Sequence, residues 1–110
     1  MIVRVVRGRI RADSVNEFYR RVEKALPAVR CQDGALDVHV GRQRDDEGER
    51  FVFVSYWRDL ASVYRWVGGG DLLCVPAAPG GYEDLLDDCD VQHYEEFEPT
   101  AVLSAAAPGD

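Results

Sequence analysis

The segment FVFVSYWRDLAS at residues 51–62 carries the strongest structural signal in the chain. Residues 51–57 are almost all aromatic or β-branched, which is typical of a strand. Asp59 follows at once and is a residue type that caps the amino terminus of helices. The apolar side chains after it recur at steps of three and four, which predicts a helix. They are Leu60, Val63, Tyr64 and Val67. This segment therefore predicts a strand that leads directly into a short helix.

The first part of the chain predicts another strand and another helix. Residues 2–10 are rich in β-branched side chains and have no helical period, so they predict a strand. Ser14 and Glu17 fit a capping box, which predicts the start of a helix. The apolar residues of that helix recur at steps of three and four. They are Val15, Phe18, Tyr19, Val22, Leu26 and Val29. Pro27 is expected to kink or end the helix within a turn.

The remaining elements follow from shorter patterns. A turn at residues 32–34 precedes an alternating strand at 36–41, and the polar stretch 45–49 predicts a hairpin loop. Apolar residues at 82, 85, 86 and 89 predict a short third helix, and residues 91–97 predict a last strand. Residues 99–110 read as a flexible tail.

The order strand, helix, strand, strand, helix, strand predicts a ferredoxin-like α+β domain over residues 1–98, with one antiparallel sheet and both helices on one face. The first strand carries apolar residues on both sides, so either Val6 and Ile10 or Val3 and Val5 face the helices. The other face still needs a cover. The same face of a second copy would provide it, which predicts a two-fold dimer.

Composition excludes several classes of protein. The chain has 110 residues, enough for one domain, and a net charge of −7. Residues 51–110 alone carry a net charge of −9, with no basic stripe to bind nucleic acid. No apolar run approaches the ~18 residues that span a bilayer. The amino terminus has no signal-like segment, so we expect a cytoplasmic protein that binds no membrane.

The metal-binding residue types do not form a recognisable site. Cys31, Cys74 and Cys89 contain no CxxC pair, whereas a structural zinc site needs four closely spaced ligands. We expect reduced thiols that are mostly buried. The acidic residues between Glu83 and Asp90 are expected on a solvated helix face. The sequence therefore predicts no metal site.

Residues 54–62 resemble the strand-to-helix junction of the antibiotic biosynthesis monooxygenase superfamily. Trp57 matches the tryptophan frequent at that junction, and Gly34 resembles the family's turn glycine. The resemblance covers residues 1–97. It implies a dimeric α+β barrel in which a ligand cavity lies between the sheet and the helices of each subunit.

The haem-degrading branch of that family is set aside. Its strand-one Asn, helix-two Trp and later His would fall at Arg7, Trp66 and near Pro76, so only Trp66 matches. No histidine occurs in residues 40–92 to serve as the iron ligand.

The cofactor-independent branch, which oxidises phenolic rings with molecular oxygen, resembles the chain at Trp57. Its strand-three Asn falls at about Phe53, and its helix-two Tyr falls beside Tyr64. The reaction needs a base and a water-poor apolar pocket, and the resemblance implies neither metal nor flavin.

Candidate site residues follow from that chemistry. His93 is the candidate base because an imidazole titrates near neutral pH, and His39 is the other imidazole. Arg7 and Arg9 either hold a substrate anion, if they turn into the cavity, or pair with acids. Five aromatic residues form either a wall for a flat ring or ordinary core. They are Trp57, Trp66, Tyr19, Tyr56 and Tyr64.

The leading functional hypothesis is a cofactor-independent monooxygenase that acts on a small aromatic or polyketide-type molecule. The alternatives are a non-catalytic dimeric ligand-binding or stress-response protein, and a cyclase or isomerase on the same scaffold. Glycines 68–70 are interpreted either as the hinge of a lid at residues 71–82 or as a plain helix stop.

Overall fold

The computed structural model describes residues 1–68 and 83–100 as one antiparallel sheet with two helices. The elements in chain order are β1 (Ile2–Ile10), α1 (Val15–Arg30), β2 (Ala35–Asp45), β3 (Gly48–Trp57), α2 (Leu60–Val67), a 3₁₀ turn (Glu83–Leu85) and β4 (Leu86–Glu95). The strands lie in the order β2-β3-β1-β4, and every neighbouring pair is antiparallel. The predicted ferredoxin-like α+β fold is confirmed.

The predicted third helix is wrong. Among the described residues, the 3₁₀ turn Glu83–Leu85 immediately precedes β4, which begins at Leu86 and pairs with β1 along the whole length of that strand. A ladder of backbone hydrogen bonds with β1 outweighs a helical pattern of only a few apolar residues. The acids expected on a helix face therefore lie on the turn and the strand, where Asp88 and Asp90 stand opposite Arg9 and Arg7.

The two helix starts differ in their caps. The Ser14 hydroxyl donates to Asp13 at 2.9 Å and makes no bond to the α1 backbone, so the capping box does not form. Asp59 does cap α2, because its carboxylate accepts from the Ser62 amide at 2.8 Å. Pro27 lies in the last turn of α1, which ends at Arg30, as expected.

The sheet has two unlike faces, which we call the covered face and the open face. Val6 and Ile10 on the covered face pack against Phe18 and Val22 of α1 in one apolar cluster. A second cluster joins the far end of α1 and α2 to the sheet, and its buried members are Val29, Val38, Trp57, Val63 and Val67. The open face of β1 carries Val3, Val5, Arg7 and Arg9, since successive strand residues alternate between faces. The structure therefore settles which side of β1 meets the helices.

The structure also tests predictions about the cysteines and about individual strand and helix residues. Cys31 and Cys89 are free and exposed, so the prediction of mostly buried thiols is wrong for these two. Leu36 is 56% exposed because the pairing register shifts between Ala35 and Asp37. Neither helix in the described part of the chain is long and apolar enough to cross a membrane. The predicted lid at 71–82, Cys74, and residues 101–110 of the predicted tail lie outside the described residues.

Candidate active site

A row of polar side chains crosses the covered face of the sheet. Arg4 of β1 stands in register with Ser55 of β3 on one side and with His93 of β4 on the other. Arg4 is 2% exposed and Ser55 is 5% exposed. Arginine is among the residues least often buried in a protein interior. These three residues, which we call the polar row, are therefore the most unusual feature of the covered face.

Arg4 fixes the protonation of His93. Its Nη1 lies 2.9 Å from His93 Nε2, and a guanidinium can only donate. Nε2 therefore accepts, which places the proton of the neutral ring on Nδ1. Burial, and then the positive charge of Arg4, lower the pKa of His93 below its usual value. His93 is thus a neutral imidazole at pH 7 with its lone pair directed at Arg4.

Two tryptophans adjoin the polar row. Trp57 is fully buried, and its indole N–H donates to Ser55 Oγ at 2.9 Å. Trp66 of α2 stacks on it, with ring centroids 6.5 Å apart and an interplanar angle of 28°. Trp66 is half-buried, so it forms the outer ring of this aromatic pair. The aromatic pair therefore lies at the Ser55 end of the polar row, and Arg4 stands between Ser55 and His93.

Tyr19 lies at the other end of the covered face. The Arg42 guanidinium stands 5.6 Å from its ring centroid, and Glu49 forms ion pairs with Arg42 at 2.7 Å and Arg44 at 2.9 Å. Burial, and next the Glu49 carboxylate, raise the pKa of Tyr19 to about 12. The Tyr19 hydroxyl and Glu49 Oε2 are both buried but do not meet with hydrogen-bond geometry in the described structure.

Tyr19 does not share a pocket with His93. Glu49, beside Tyr19, lies six residues along β3 from Ser55, which corresponds to about 20 Å. Tyr64 is half-buried on α2. Tyr56 lies on the open face, edge-on to His39 with ring centroids 6.4 Å apart. Of the five candidate aromatics, Trp57 and Trp66 adjoin the polar row.

Arg7 and His39 lie on the open face, across the sheet from His93. Arg7 Nε lies 3.1 Å from the Asp90 carboxylate, and the Arg7 side chain is 59% exposed. His39 Nε2 lies 2.9 Å from Asp37, and its side chain is 66% exposed. Arg7 does not turn into the covered side; of its two expected roles, the structure shows the ion pair. Arg9 likewise pairs with acids, at 2.7 Å from Glu47.

A concave basin of about 660 Å³ occupies the hairpin end of the open face. It forms where Gly41, which has no side chain, faces Val52 across the β2–β3 pair. Charged side chains of both signs surround it, namely Arg7, Arg50, Asp88 and Asp90. Within the described residues no three His, Cys, Asp or Glu side chains are grouped so as to hold a metal ion. The basin is therefore a mixed-charge hollow on the face that a second copy is expected to cover.

Sequence reasoning missed Arg4, although a signal for it existed. Arg4 shares its parity with Val6 and Ile10, so once those residues face the helices Arg4 must face them too. Val3 and Val5 offered an equally apolar alternative side, which hid the pattern.

Comparisons with known proteins agree with this fold. A family model described as antibiotic biosynthesis monooxygenase matches residues 1–73. Among curated proteins, none matches the chain.

Several solved structures share the architecture. A Nitrosomonas europaea protein described as a candidate antibiotic biosynthesis monooxygenase aligns with a TM-score of 0.71 and 14% identity, over 89% of this chain and 100% of its own. A Pseudomonas aeruginosa protein aligns with a TM-score of 0.68 and 17% identity, over 88% of this chain and 94% of its own. A variant of SnoaB, a cofactor-independent oxygenase from Streptomyces nogalater, aligns with a TM-score of 0.66 and 16% identity, over 88% and 93%. These identities show a shared fold. Together with the family match over most of the chain, they show that it belongs to the antibiotic biosynthesis monooxygenase family.

Proposed function

We propose that the chain is a cofactor-independent monooxygenase for a small aromatic or polyketide-type substrate, bound on the covered face beside the polar row. The observation that carries the proposal is the contact between His93 and Arg4. Nε2 of the imidazole lies 2.9 Å from Nη1 of this buried arginine, on the face of the sheet that also holds the two stacked tryptophans. SnoaB, which shares the fold, is described as a cofactor-independent oxygenase. The family match supports oxygenase chemistry in general, and the site residues supply the particular assignment.

The chemistry assigns one task to each part of the site. His93 accepts a proton from the substrate and leaves an electron-rich anion. The tryptophan pair holds the flat ring and excludes water. The anion supplies the electrons that reduce molecular oxygen. When a ring CH₂ becomes a carbonyl, one oxygen atom enters the product and the other leaves as water, so the substrate is the only reductant.

Oxygen uptake tests this proposal directly. Metal-free protein is mixed with a panel of hydroxyanthrones and quinols, and dissolved oxygen is recorded with an electrode. We expect uptake with wild type and a fall of at least about tenfold in His93→Ala, because a positioned base typically contributes more than that factor. His39→Ala is the matched control, since that imidazole is exposed on the opposite face.

Each other outcome points to a different conclusion. Uptake unchanged in His93→Ala removes His93 from the mechanism. Saturable binding without turnover indicates the non-catalytic binding protein, and a product formed equally well under nitrogen indicates a cyclase or isomerase.

We also propose that a second copy of the chain covers the open face. Its centre is an apolar stripe of half-buried residues, Val3, Val5, Val52, Val54 and Tyr56. The stripe is bordered by arginines and aspartates, so an inverted copy can bring opposite charges together. Light scattering should give about twice the 12.3 kDa of one chain, and Val54→Asp should reduce it to one. A wild-type particle of 12.3 kDa would contradict the dimer.

A cytoplasmic location stays a prediction that cell fractionation can test.

A further inference from the structure

We infer that Arg4 holds the substrate oxygen, and that the Arg4–His93 hydrogen bond marks the place where a phenolic or enolic hydroxyl group binds. The inference deepens the proposed function and depends on it for the class of substrate. It assigns to Arg4 the anion-holding role that the sequence suggested for Arg7.

The pair is complementary to a hydroxyl group. Arg4 Nη1 is a donor and His93 Nε2 is an acceptor, and they face each other at 2.9 Å. A hydroxyl oxygen can accept from Nη1 while its own proton is donated to Nε2. Once the two side chains move apart enough to admit an oxygen atom, a hydroxyl group between them replaces one hydrogen bond with two. An ether can form only the hydrogen bond from Arg4, and a plain hydrocarbon can form neither.

The same geometry allows the proton to move. The O–H bond breaks, its electron pair stays on oxygen, and the proton forms a new N–H bond at Nε2. His93 becomes an imidazolium, and the oxyanion remains beside the Arg4 guanidinium. Without a ligand, burial and Arg4 disfavour that imidazolium, as the lowered pKa of His93 shows. The bound oxyanion offsets this repulsion, so proton transfer is coupled to occupation of the site.

Burial makes Arg4 effective in this role. Charge interactions are stronger where water is excluded, and Arg4 is 2% exposed. Its position is set by strands on both sides, β3 through Ser55 and β4 through His93. The Arg7 guanidinium, by contrast, is exposed and lies on the opposite face of the sheet from His93. Among the described residues, Arg4 is therefore the arginine best placed to hold an anion at His93.

The test uses 4-nitrophenol as a chromophoric probe, because its phenol and phenolate forms absorb at different wavelengths. The absorbance of the saturated complex is followed against pH. We expect the bound probe to ionise at a lower pH than the free probe. 4-Nitroanisole, which has a methyl group in place of the proton, should bind at least about tenfold more weakly.

Two substitutions on one strand provide the matched comparison. Arg4→Met should abolish the shift in the probe's ionisation, whereas Arg7→Met, three residues away on the other face, should leave it as in wild type. Arg4→Lys keeps a charge without the planar fork and should give an intermediate shift, and it serves if the methionine variant does not fold. His93→Gln can still accept from Arg4 but cannot take the proton, so it should bind the probe and lose oxygen uptake.

The outcomes separate this inference from the proposed function. The inference is overturned if wild type leaves the probe's ionisation unchanged, if Arg4→Met or a folded Arg4→Lys retains the full shift, or if nitroanisole binds equally well. If the bound probe ionises at a lower pH as expected but wild type consumes no oxygen with any of the phenols, the inference stands and the oxygenase proposal fails. Oxygen uptake that persists in Arg4→Met supports the oxygenase and removes Arg4 from it.

Discussion

Arg4 and Arg7 stand three residues apart on β1 and differ in almost every physical respect. Arg4 is 2% exposed and contacts a neutral imidazole, whereas the Arg7 side chain is 59% exposed and contacts a carboxylate. An exposed ion pair contributes about 0–1 kcal/mol, so Arg7 can be replaced at little cost. A buried charge costs free energy unless its surroundings compensate for it. The same residue type is therefore buried beside an imidazole on the covered face and exposed beside a carboxylate on the open face.

The largest difference in stability between substitutions on the two faces is expected at two adjacent aromatic residues of β3, Trp57 and Tyr56. Trp57→Ala removes a fully buried ring from the covered face and should lower the free energy of unfolding by about 3–5 kcal/mol. Tyr56→Ala, its neighbour on the open face, should cost clearly less at a protein concentration that dissociates the proposed dimer, because its ring is then only half-buried. Urea denaturation of both variants measures the difference. Equal losses would mean that the open face is as well packed as the covered one.

Glu49 makes the covered face sensitive to acid. Burial alone would raise the pKa of Glu49, but Tyr19, Arg42 and Arg44 outweigh it and lower the pKa to about 2. Because the folded pKa lies below the unfolded value of 4.5, the stabilisation is complete above pH 4.5 and is lost as the pH falls towards 2. Solvent screening at the hairpin end reduces the effect to on the order of 1–2 kcal/mol.

The comparison with Glu49→Gln isolates this carboxyl group. Unfolding free energies of wild type and variant are measured between pH 7 and the acid limit, and the gap between the two curves should narrow as the pH falls. A constant gap would show that Glu49 does not titrate with a lowered pKa.

Gly34 and Gly48 both lie in turns, but only Gly34 has other atoms close to the place where a side chain would go. Gly34 and Gly48 both have positive φ, 90° and 123°, so alanine strains the backbone at either. A Cβ at Gly34 would also lie 2.0 Å from Ser62 Oγ of α2, whereas a Cβ at Gly48 meets nothing within 4 Å. Gly34→Ala should therefore cost about 1 kcal/mol more than Gly48→Ala. Thermal unfolding measures this excess. Equal losses of stability in the two variants would mean that α2 moves away from the new Cβ at no cost.

The smallest effect is expected at the exposed ion pair of the open face. Arg7→Ala should change the free energy of unfolding by less than about 1 kcal/mol, and added salt should reduce the difference further. Measurements are made at one protein concentration because a dimer would make stability depend on it. A loss as large as that of Trp57→Ala would place Arg7 in an essential contact between subunits.

Local patterns predicted most of the fold because periodicity is a property of neighbouring residues. Residues 2–10 form β1 with the predicted bounds, and Asp59 caps α2. The third helix was wrong because residues 86–89 pair with β1, a strand remote in sequence, and local periodicity does not report that pairing. Ser14 makes no capping bond because its φ of −123° and ψ of 7° lie outside the extended conformation typical of a helix cap.

The site was harder to predict than the fold because it depends on which side of each strand meets the helices. The place of His93 opposite Arg4 follows from strand register, whereas Trp57 and Trp66 come together only when α2 packs on the sheet. Arg7 was preferred over Arg4 because β1 is apolar on both sides. The basin at Gly41 depends on the missing side chain opposite Val52, which no periodicity reveals.

The stacked tryptophans have a practical consequence. Trp57 and Trp66 are the two tryptophans of the whole sequence, and their rings are 6.5 Å apart. Ultraviolet emission excited at the indole band therefore originates from this one spot. A ligand that stacks on Trp66 would change this emission by direct contact, whereas a ligand bound in the basin at Gly41 would touch neither ring. The unlabelled polypeptide thus carries its own optical sensor, which can rank compounds by affinity before any turnover is known.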